Sequence, residues 1–241
     1  MGLLSVLKTY LFFPINEQTY LREILKSQIF HDTIKDSVWL KYQDFSPGSW
    51  AVDYSLLYTL YRVLNDVRPL NILEFGLGQS SKMIYQYISF VGKNNANAIT
   101  IEHDNNWINF FMKNIQGRYD LNIFQLELES ILYKNKFQTY FYSNLRDLIG
   151  VKKFDCILID APYGTERFSR CQIIDYIPSC LADNFCIIID DYNRKGEKDT
   201  VKALCSALNI ANIPYQATVL YGMKEHYLIC SEKWKFLTTI G

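Results

Sequence analysis

The sequence predicts an α/β protein built on a seven-stranded, mostly parallel sheet, with helices on both faces and a helical N-terminal extension. From Asn71 onward, short apolar runs alternate with longer amphipathic stretches, which is the pattern of successive right-handed βαβ units. The continuous apolar runs Cys156–Ile159 and Cys186–Ile189 are typical of central strands that are buried on both faces. Seven strands are expected, at Ile72–Phe75, Ala98–Ile101, Asn122–Leu128, Phe154–Ile159, Phe185–Ile189, Ala217–Leu220 and Tyr227–Cys230.

The 241 residues suit one α/β domain with a short extension, and we place the boundary between residues 1–68 and residues 69–241. The extension contains two helix-like stretches, Glu17–Phe30 and Tyr54–Val67, on either side of a turn-rich segment. The main domain then begins with the first apolar run.

The first fourteen residues form a mostly apolar stretch that Lys8 interrupts and Pro14 ends. This stretch is too short to span a bilayer, and it lacks the small-residue cleavage pattern of a signal peptide. We favour a helix that packs on its own domain. The alternative is peripheral contact with a membrane surface or with a second subunit.

Composition narrows the class of protein. Apolar residues make up 49% of the chain, and 25 basic residues balance 25 acidic ones. The zero net charge argues against nucleic acid as a partner. The six cysteines form no C-x-x-C pair, so we expect reduced core residues in a cytoplasmic protein. The sequence carries no signal for the oligomeric state.

The first strand is followed by a glycine turn. Gly76 permits a tight turn, and Gly78 allows the backbone to approach a ligand closely. Ser80 or Ser81 could cap the next helix, and both are candidate cofactor contacts. Glu74, just before the glycines, suits a positively charged amino acid ligand and would repel a pyrophosphate. The turn therefore points to the methionine part of S-adenosylmethionine.

The second strand is followed by Glu102, His103 and Asp104. An acid at this point can accept both hydroxyls of an adenosyl ribose, which is the role we expect for Glu102. His103 is a candidate neighbour of the adenine, whereas Asp104 is expected to cap the helix that follows.

Three aspartates follow two strands that should be neighbours in the sheet. Asp160 comes after the fourth run, and Asp190 with Asp191 comes after the fifth. Three close carboxylates repel one another, and a divalent cation such as Mg²⁺ or Mn²⁺ would relieve that cost. Such a cation could lower the pKa of an acceptor hydroxyl. In the alternative, Asp191 caps a turn, Asp190 pairs with Arg194 or Lys195, and only Asp160 contacts the substrate.

Three arginines, Arg167, Arg170 and Arg194, lie on segments that should flank the same cleft. Arginine suits bidentate recognition of a carboxylate or a phosphate, so these residues are candidate substrate contacts. At least one of them is expected to be solvated at the surface.

Taken together, the motifs resemble the polysaccharide methyltransferases typified by plant glucuronoxylan 4-O-methyltransferase. The resemblance covers roughly residues 71–205. It implies the Rossmann-like class I methyltransferase fold, S-adenosylmethionine as methyl donor and a sugar hydroxyl as acceptor, with Arg170 holding a uronate carboxylate. The strings that carry it are Phe75-Gly76-Leu77-Gly78, Glu102-x-Asp104 followed by Trp107, Asp160-Ala161-Pro162-x-Gly164, and Asp191-x-Asn193-Arg194-x-x-Glu197-Lys198.

The pair Asp190-Asp191 is also similar to that of metal-dependent small-molecule O-methyltransferases, such as the catechol and macrolide-sugar enzymes. That resemblance implies Asp160, Asp190 and Asp191 as metal ligands. The candidate catalytic residues are Asp160, Tyr163 and Asp191. The polysaccharide family tends to have His where Asp190 stands. Both groups often have a lysine base where this chain has Tyr163, so Asp160 or a metal-bound hydroxyl would act as the base.

Three functions stay open on the sequence alone. The leading one is a methyltransferase acting on a sugar hydroxyl of a glycan or of a nucleotide- or lipid-linked sugar. A second is an amino methyltransferase acting on nucleic acid, since the four residues from Asp160 to Tyr163 resemble the Asp-Pro-Pro-Tyr motif of adenine-N6 enzymes. A third is a non-catalytic binding protein that keeps the fold as a scaffold.

Overall fold

The computed structural model describes residues 17–240. Its first helices are α1 (Glu17–Ile34) and α2 (Tyr54–Arg62), and a π-helical turn continues α2 as far as Val67. Helix α2 begins at Asp53, whose side chain accepts a hydrogen bond of 2.9 Å from the Leu56 backbone. The apolar stretch up to Pro14 lies outside the described residues. None of the helices between residues 17 and 240 is long and apolar enough to cross a bilayer.

Nine strands follow, of which seven form one sheet and two form a separate hairpin. The strands are β1 (Asn71–Phe75), β2 (Asn97–Glu102), β3 (Ile123–Gln125), β4 (Leu128–Tyr133), β5 (Phe137–Tyr142), β6 (Phe154–Ile159), β7 (Leu181–Ile189), β8 (Tyr215–Tyr221) and β9 (Glu225–Ser231). The sheet has the order β3-β2-β1-β6-β7-β9-β8, in which β9 runs antiparallel to both neighbours and the other pairs are parallel. Each of its strands contains one of the seven predicted apolar runs in whole or in part, which confirms the predicted sheet.

Helices cover both faces of the sheet because side chains alternate between faces along each strand. On β6, Cys156 and Leu158 belong to one hydrophobic core, and Ile157 and Ile159 belong to the other. The remaining helices are α3 (Gln79–Val91), α4 (Asn105–Ile115), α5 (Leu145–Ile149) and α6 (Lys195–Ile210), with 3₁₀ turns at Cys171–Asp175 and Glu232–Thr239. The first core is covered by α1, α2, α3 and α4, and the second by α5 and α6.

The N-terminal helices share a core with the sheet. Phe30, Leu56 and Leu60 are fully buried in the same cluster as Ile72 and Leu158. Residues before the predicted boundary at 68 therefore pack directly on the sheet, which places their loops beside the strand ends described below. The division into two domains stays a prediction.

One strand prediction needs correction. The run Asn122–Leu128 was expected to form a single strand, but β3 ends at Gln125, and the chain continues into the hairpin β4–β5. The turn of this hairpin has positive φ at Lys134 and Asn135. In a sequence, a tight hairpin turn is usually recognised by a pair such as Asn-Gly, Asp-Gly or Gly-Gly. Lys134 and Asn135 are not such a pair, so the sequence pattern did not predict the hairpin.

Candidate functional site

The carboxyl ends of β1, β2, β6, β7 and β8 share one edge of the sheet, and the candidate residues lie along that edge. The strand order reverses between β1 and β6. The strands that follow β1 in the chain, β2 and β3, lie on one side of it, whereas β6 and β7 lie on the other side. Open α/β sheets bind ligands at such a reversal, beyond the carboxyl ends of the strands.

The glycine turn after β1 has the features that its sequence predicted. Gly76 has φ of +102°, and a Cβ atom there would lie 3.0 Å from Ala161 Cβ, so both conformation and space require glycine. Gly78 precedes α3, and its backbone N–H donates to Ser81 Oγ at 2.9 Å. A Cβ atom on Gly78 would meet nothing within 4 Å, so the turn is open on that side.

Glu74 lies beneath this turn. Its carboxylate is fully buried and accepts hydrogen bonds from the hydroxyls of Ser80 at 2.6 Å, Ser81 at 2.8 Å and Thr100 at 2.7 Å. Burial raises its pKa to about 7. The structure thus places Glu74 and both serines inside the protein, where they brace the turn. The predicted contact of Glu74, Ser80 and Ser81 with the cofactor would need these side chains on the outer side of the turn.

Glu102 lies beside the same turn at the end of β2. Its two oxygens accept backbone N–H groups of Leu77 at 3.1 Å, His103 at 2.7 Å and Asp104 at 3.0 Å. Burial acts to raise its pKa, but the His103 ring and these N–H groups lower it below the usual range, so the carboxylate is ionised. Asp104 caps α4 as predicted, accepting the Trp107 N–H at 3.2 Å.

The three aspartates come together as the strand order predicted. One oxygen of each lies within 4.8 Å of the others. The side chain of Asp160 is 19% exposed, whereas those of Asp190 and Asp191 are 1% and 4% exposed. Asp160 is therefore the member of this aspartate cluster that a bound molecule can reach most readily.

Basic side chains fill much of the space between these carboxylates. Arg170 lies 3.4 Å from Asp160 and 3.0 Å from Asp191. Lys224 Nζ lies 3.1 Å from Asp190 Oδ2 and 3.3 Å from Asp191 Oδ1. The cluster is thus held by cations of the protein itself.

These charges and the burial shift the pKa values in different directions. Burial and the nearby Asp190 raise the pKa of Asp160 well above its usual range. For Asp191, burial is outweighed by Arg170 and Lys224, so its pKa is lowered. Burial acts to lower the pKa of Lys224, but the three aspartates raise it above its usual value, so Lys224 is a cation.

The cluster fits a divalent cation poorly. Both Asp191 oxygens already contact basic groups, Oδ1 with Lys224 and Oδ2 with Arg170 at 3.0 Å. Among the buried aspartate oxygens of the described chain, Asp190 Oδ1 is without a hydrogen-bond partner. Asp190 Oδ1 and the partly exposed Asp160 carboxylate fall short of the set that Mg²⁺ or Mn²⁺ requires, so a cation would have to displace Lys224 to gain further ligands.

The arginines predicted to contact substrate have separate positions. Arg167 pairs with Asp199, with Nη2 to Oδ1 at 3.1 Å, and its guanidinium lies over the Phe137 ring. Arg170 is buried inside the aspartate cluster, where its guanidinium balances the charge of those carboxylates. This buried position does not match the expected contact with a uronate carboxylate. Arg194 lies 2.9 Å from Asp191, with 47% of its side chain exposed.

Tyr163 is half exposed at the rim of the site. Its ring forms edge-to-face contacts with His103, at 4.6 Å between centroids, and with Tyr140 on β5, at 6.3 Å. The hairpin β4–β5 reaches over the loop after β6, where Thr139 Oγ1 donates to the Phe168 carbonyl at 3.0 Å. An aromatic rim thus borders the opening near Asp160.

Sequence reasoning missed Lys224, Glu197 as an internal partner, and Tyr140. Glu197 is fully buried, with its Oε1 3.8 Å from Arg170 Nε. Lys224 lies in the turn between β8 and β9. Because β8 runs parallel to β7, this turn falls at the same edge as the aspartates, and that direction was the available signal.

No protein-family model matches this chain, and no curated protein matches it in sequence. Among solved structures, a Klebsiella pneumoniae protein assigned as an O-methyltransferase is similar. Its TM-score is 0.56, with 14% identity over 89% of this chain and 99% of that one. A methyltransferase from Geobacter sulfurreducens has a TM-score of 0.50, with 13% identity over 94% of this chain and 96% of its own. At such identities the likeness is one of fold.

Proposed function

The chain has the class I methyltransferase fold, and we propose that it transfers the methyl group of S-adenosylmethionine to a hydroxyl oxygen. The observation that carries this proposal is the contact between the glycine turn and the loop of Asp160. A Cβ atom at Gly76 would lie 3.4 Å from the Asp160 carbonyl carbon. A donor bound on the turn would therefore have its methyl group close to the Asp160 carboxylate.

The donor site is built from the turn and from Glu102. Oε2 of the ionised Glu102 carboxylate accepts one N–H, that of Leu77, so it keeps a lone pair for a ribose hydroxyl. The open side of Gly78 leaves room for the methionine part. Glu74 keeps the turn in shape from beneath.

The reaction itself is a displacement at the methyl carbon. The acceptor oxygen forms a bond to that carbon as the carbon–sulfur bond breaks, and S-adenosylhomocysteine leaves. The hydroxyl proton passes to the Asp160 carboxylate. Asp160 suits this role because it is the most exposed of the three aspartates and its raised pKa makes it a stronger base. Positioning of donor and acceptor supplies most of the rate.

For the acceptor, we propose a sugar hydroxyl of a glycan or of a nucleotide- or lipid-linked sugar. The resemblance to the polysaccharide methyltransferases supports this choice. So does the rim: Tyr163 offers a half-exposed ring on which a sugar can pack, and Arg194 offers a guanidinium to a carboxylate or phosphate. Assistance by Mg²⁺ or Mn²⁺ stays a prediction from the sequence. The contacts of Lys224 with Asp190 and Asp191 argue against it.

The function is tested by titrating the protein with S-adenosylmethionine and measuring transfer of labelled methyl groups to sugar nucleotides, polysaccharides, DNA and RNA. We expect donor binding and labelling of a sugar. Failure to bind the donor would reject the function, and labelling of nucleic acid alone would favour the amino methyltransferase.

The role of Asp160 is tested by Asp160→Asn. The amide cannot take the hydroxyl proton, so turnover should fall about 10²–10⁴-fold while donor affinity stays close to that of the wild type. Asp183→Asn, at an exposed position on β7, is the matched control. Turnover of Asp160→Asn equal to that of the control would reject Asp160 as the base.

A further inference from the structure

We propose that the Lys224 ammonium takes the place of a divalent cation among Asp160, Asp190 and Asp191, so that these carboxylates work without a bound metal ion. The placement stands on geometry alone. Its consequence for catalysis rests on the proposed function.

The ammonium bridges the two aspartates that follow β7. Its distances of 3.1 Å to Asp190 Oδ2 and 3.3 Å to Asp191 Oδ1 are those of a lysine that contacts both groups at once. The side chain of Lys224 is only 13% exposed, so little of the ammonium is left to water. A bridging position of this kind is what a metal ion shared by two carboxylates would occupy.

The charges around Lys224 are nearly balanced with the lysine present. Four carboxylates, those of the three aspartates and Glu197, face three cations, Arg170, Arg194 and Lys224. In formal charges the group carries one negative charge. Without the lysine it would carry two, which is the charge that one divalent cation neutralises.

The turn that bears Lys224 is fixed by the N-terminal part of the chain. The Lys224 backbone N–H donates to Asp53 Oδ2 at 2.9 Å, and the Met223 N–H donates to Glu23 at 3.2 Å. Ser55 Oγ donates to the Tyr221 carbonyl at 3.1 Å. Three side chains from α1 and the start of α2 thus hold the turn so that the ammonium reaches the aspartates.

The experiment measures Mn²⁺ binding to the full chain by electron paramagnetic resonance, with Mg²⁺ as competitor. Wild-type protein should bind Mn²⁺ weakly. Lys224→Ala should bind it at least tenfold more tightly, because two carboxylates lose their ammonium. Lys224→Arg keeps a cation and should behave like the wild type. Lys202→Ala, an exposed lysine on α6, is the matched control.

The site of the gained Mn²⁺ is identified by adding Asp190→Asn to Lys224→Ala, which should remove the gain. Circular dichroism first establishes that each variant is folded, and a variant that unfolds is replaced by Lys224→Met. Tight Mn²⁺ binding by the wild type, or no gain in a folded variant without the lysine, would overturn the proposal.

An activity measurement separates this proposal from the function. Wild-type methyl transfer should be unchanged by a chelator, and loss of transfer that Mg²⁺ restores would overturn metal independence. If the chain transfers no methyl group to any acceptor, the proposed function fails. The Mn²⁺ titration still tests whether Lys224 occupies the cation position among the three aspartates.

Discussion

Glu74 and Glu102 carry the same side chain a few ångströms from the same turn, but their surroundings differ. Glu74 meets only hydroxyl donors in a fully buried position, and burial raises its pKa to about 7. Glu102 meets three backbone N–H groups and the His103 ring, which outweigh burial and lower its pKa. The first residue therefore supports the turn, and the second stays ionised, as its proposed role as acceptor of a ribose hydroxyl requires.

This difference gives a prediction for Glu102→Ala. The variant loses a charged acceptor for the ribose hydroxyls, worth about 1.5–3 kcal/mol, so affinity for S-adenosylmethionine should fall roughly 10- to 100-fold. Calorimetric titration measures it. Glu127→Ala, an exposed acid that follows the neighbouring strand, is the control. Equal affinities for the two variants would remove Glu102 from the donor site.

At this scale, the sequence was informative wherever one residue follows one strand end. Asp160, Asp190 and Asp191 were expected to converge, and their oxygens do lie within 4.8 Å of one another. What pairs with them could not be predicted, because Lys224 reaches them through strand pairing far along the chain. Partners of a charge depend on three-dimensional packing, which periodicity does not encode.

Among the elements, the turn between β8 and β9 is a tight junction near the site. A Cβ atom on Gly222 would lie 2.3 Å from Asp53 Oδ2 and 2.5 Å from Ser55 Cβ. Gly222→Ala must therefore push the turn away from the start of α2, and overpacking of this kind costs about 1–3 kcal/mol. We expect a lower midpoint in urea unfolding and reduced turnover, with donor affinity little changed.

A double-mutant cycle with Asp53→Ala tests the contact. Removing the Asp53 side chain takes away one of the two clashing groups, so Gly222→Ala should cost less in that background. Asp53→Ala alone loses the cap of α2, at about 1 kcal/mol. Strictly additive losses of unfolding free energy would show that the methyl group added at position 222 does not contact the Asp53 side chain.

The sheet strands were predictable because each combines a short apolar run with flanking polar turns. The hairpin β4–β5 was not, since its strands mix exposed, partly buried and buried residues without a regular alternation and pair only with each other. Its contacts, such as Thr139 to the Phe168 carbonyl, join segments that lie 29 residues apart. The position of the hairpin thus depends on contacts with a distant segment, and a local sequence pattern does not contain that information.

For the whole molecule, the packing of α1 and α2 against β9 links stability to pH. His226 on β9 is buried, with Nε2 2.9 Å from Thr59 Oγ1 on α2. Burial, and then the charge of Lys26 on α1, lowers its pKa from 6.5 to about 3. The folded protein keeps this histidine neutral at pH values where the unfolded chain protonates it.

The sign of the effect follows directly. Above pH 6.5 neither state is protonated, and between pH 6.5 and about 3 only the unfolded state gains a proton, so folding loses stability as the pH falls. The loss approaches about 1.4 kcal/mol per pH unit. Urea unfolding of wild type and His226→Gln across this range should show a difference that grows in the variant's favour on acidification. A constant difference would mean that His226 titrates normally.

The contacts that place Lys224 also set an order of events during synthesis of the chain. Met223 donates to Glu23, 200 positions earlier, and Lys224 donates to Asp53, 171 positions earlier. Contacts of such separation form late. A nascent chain that has reached Asp191, just after β7, already contains all three aspartates but not yet Lys224. The acidic edge is therefore completed only when the turn between β8 and β9 has emerged, and a partly made chain that ends before Lys224 lacks the ammonium that balances it.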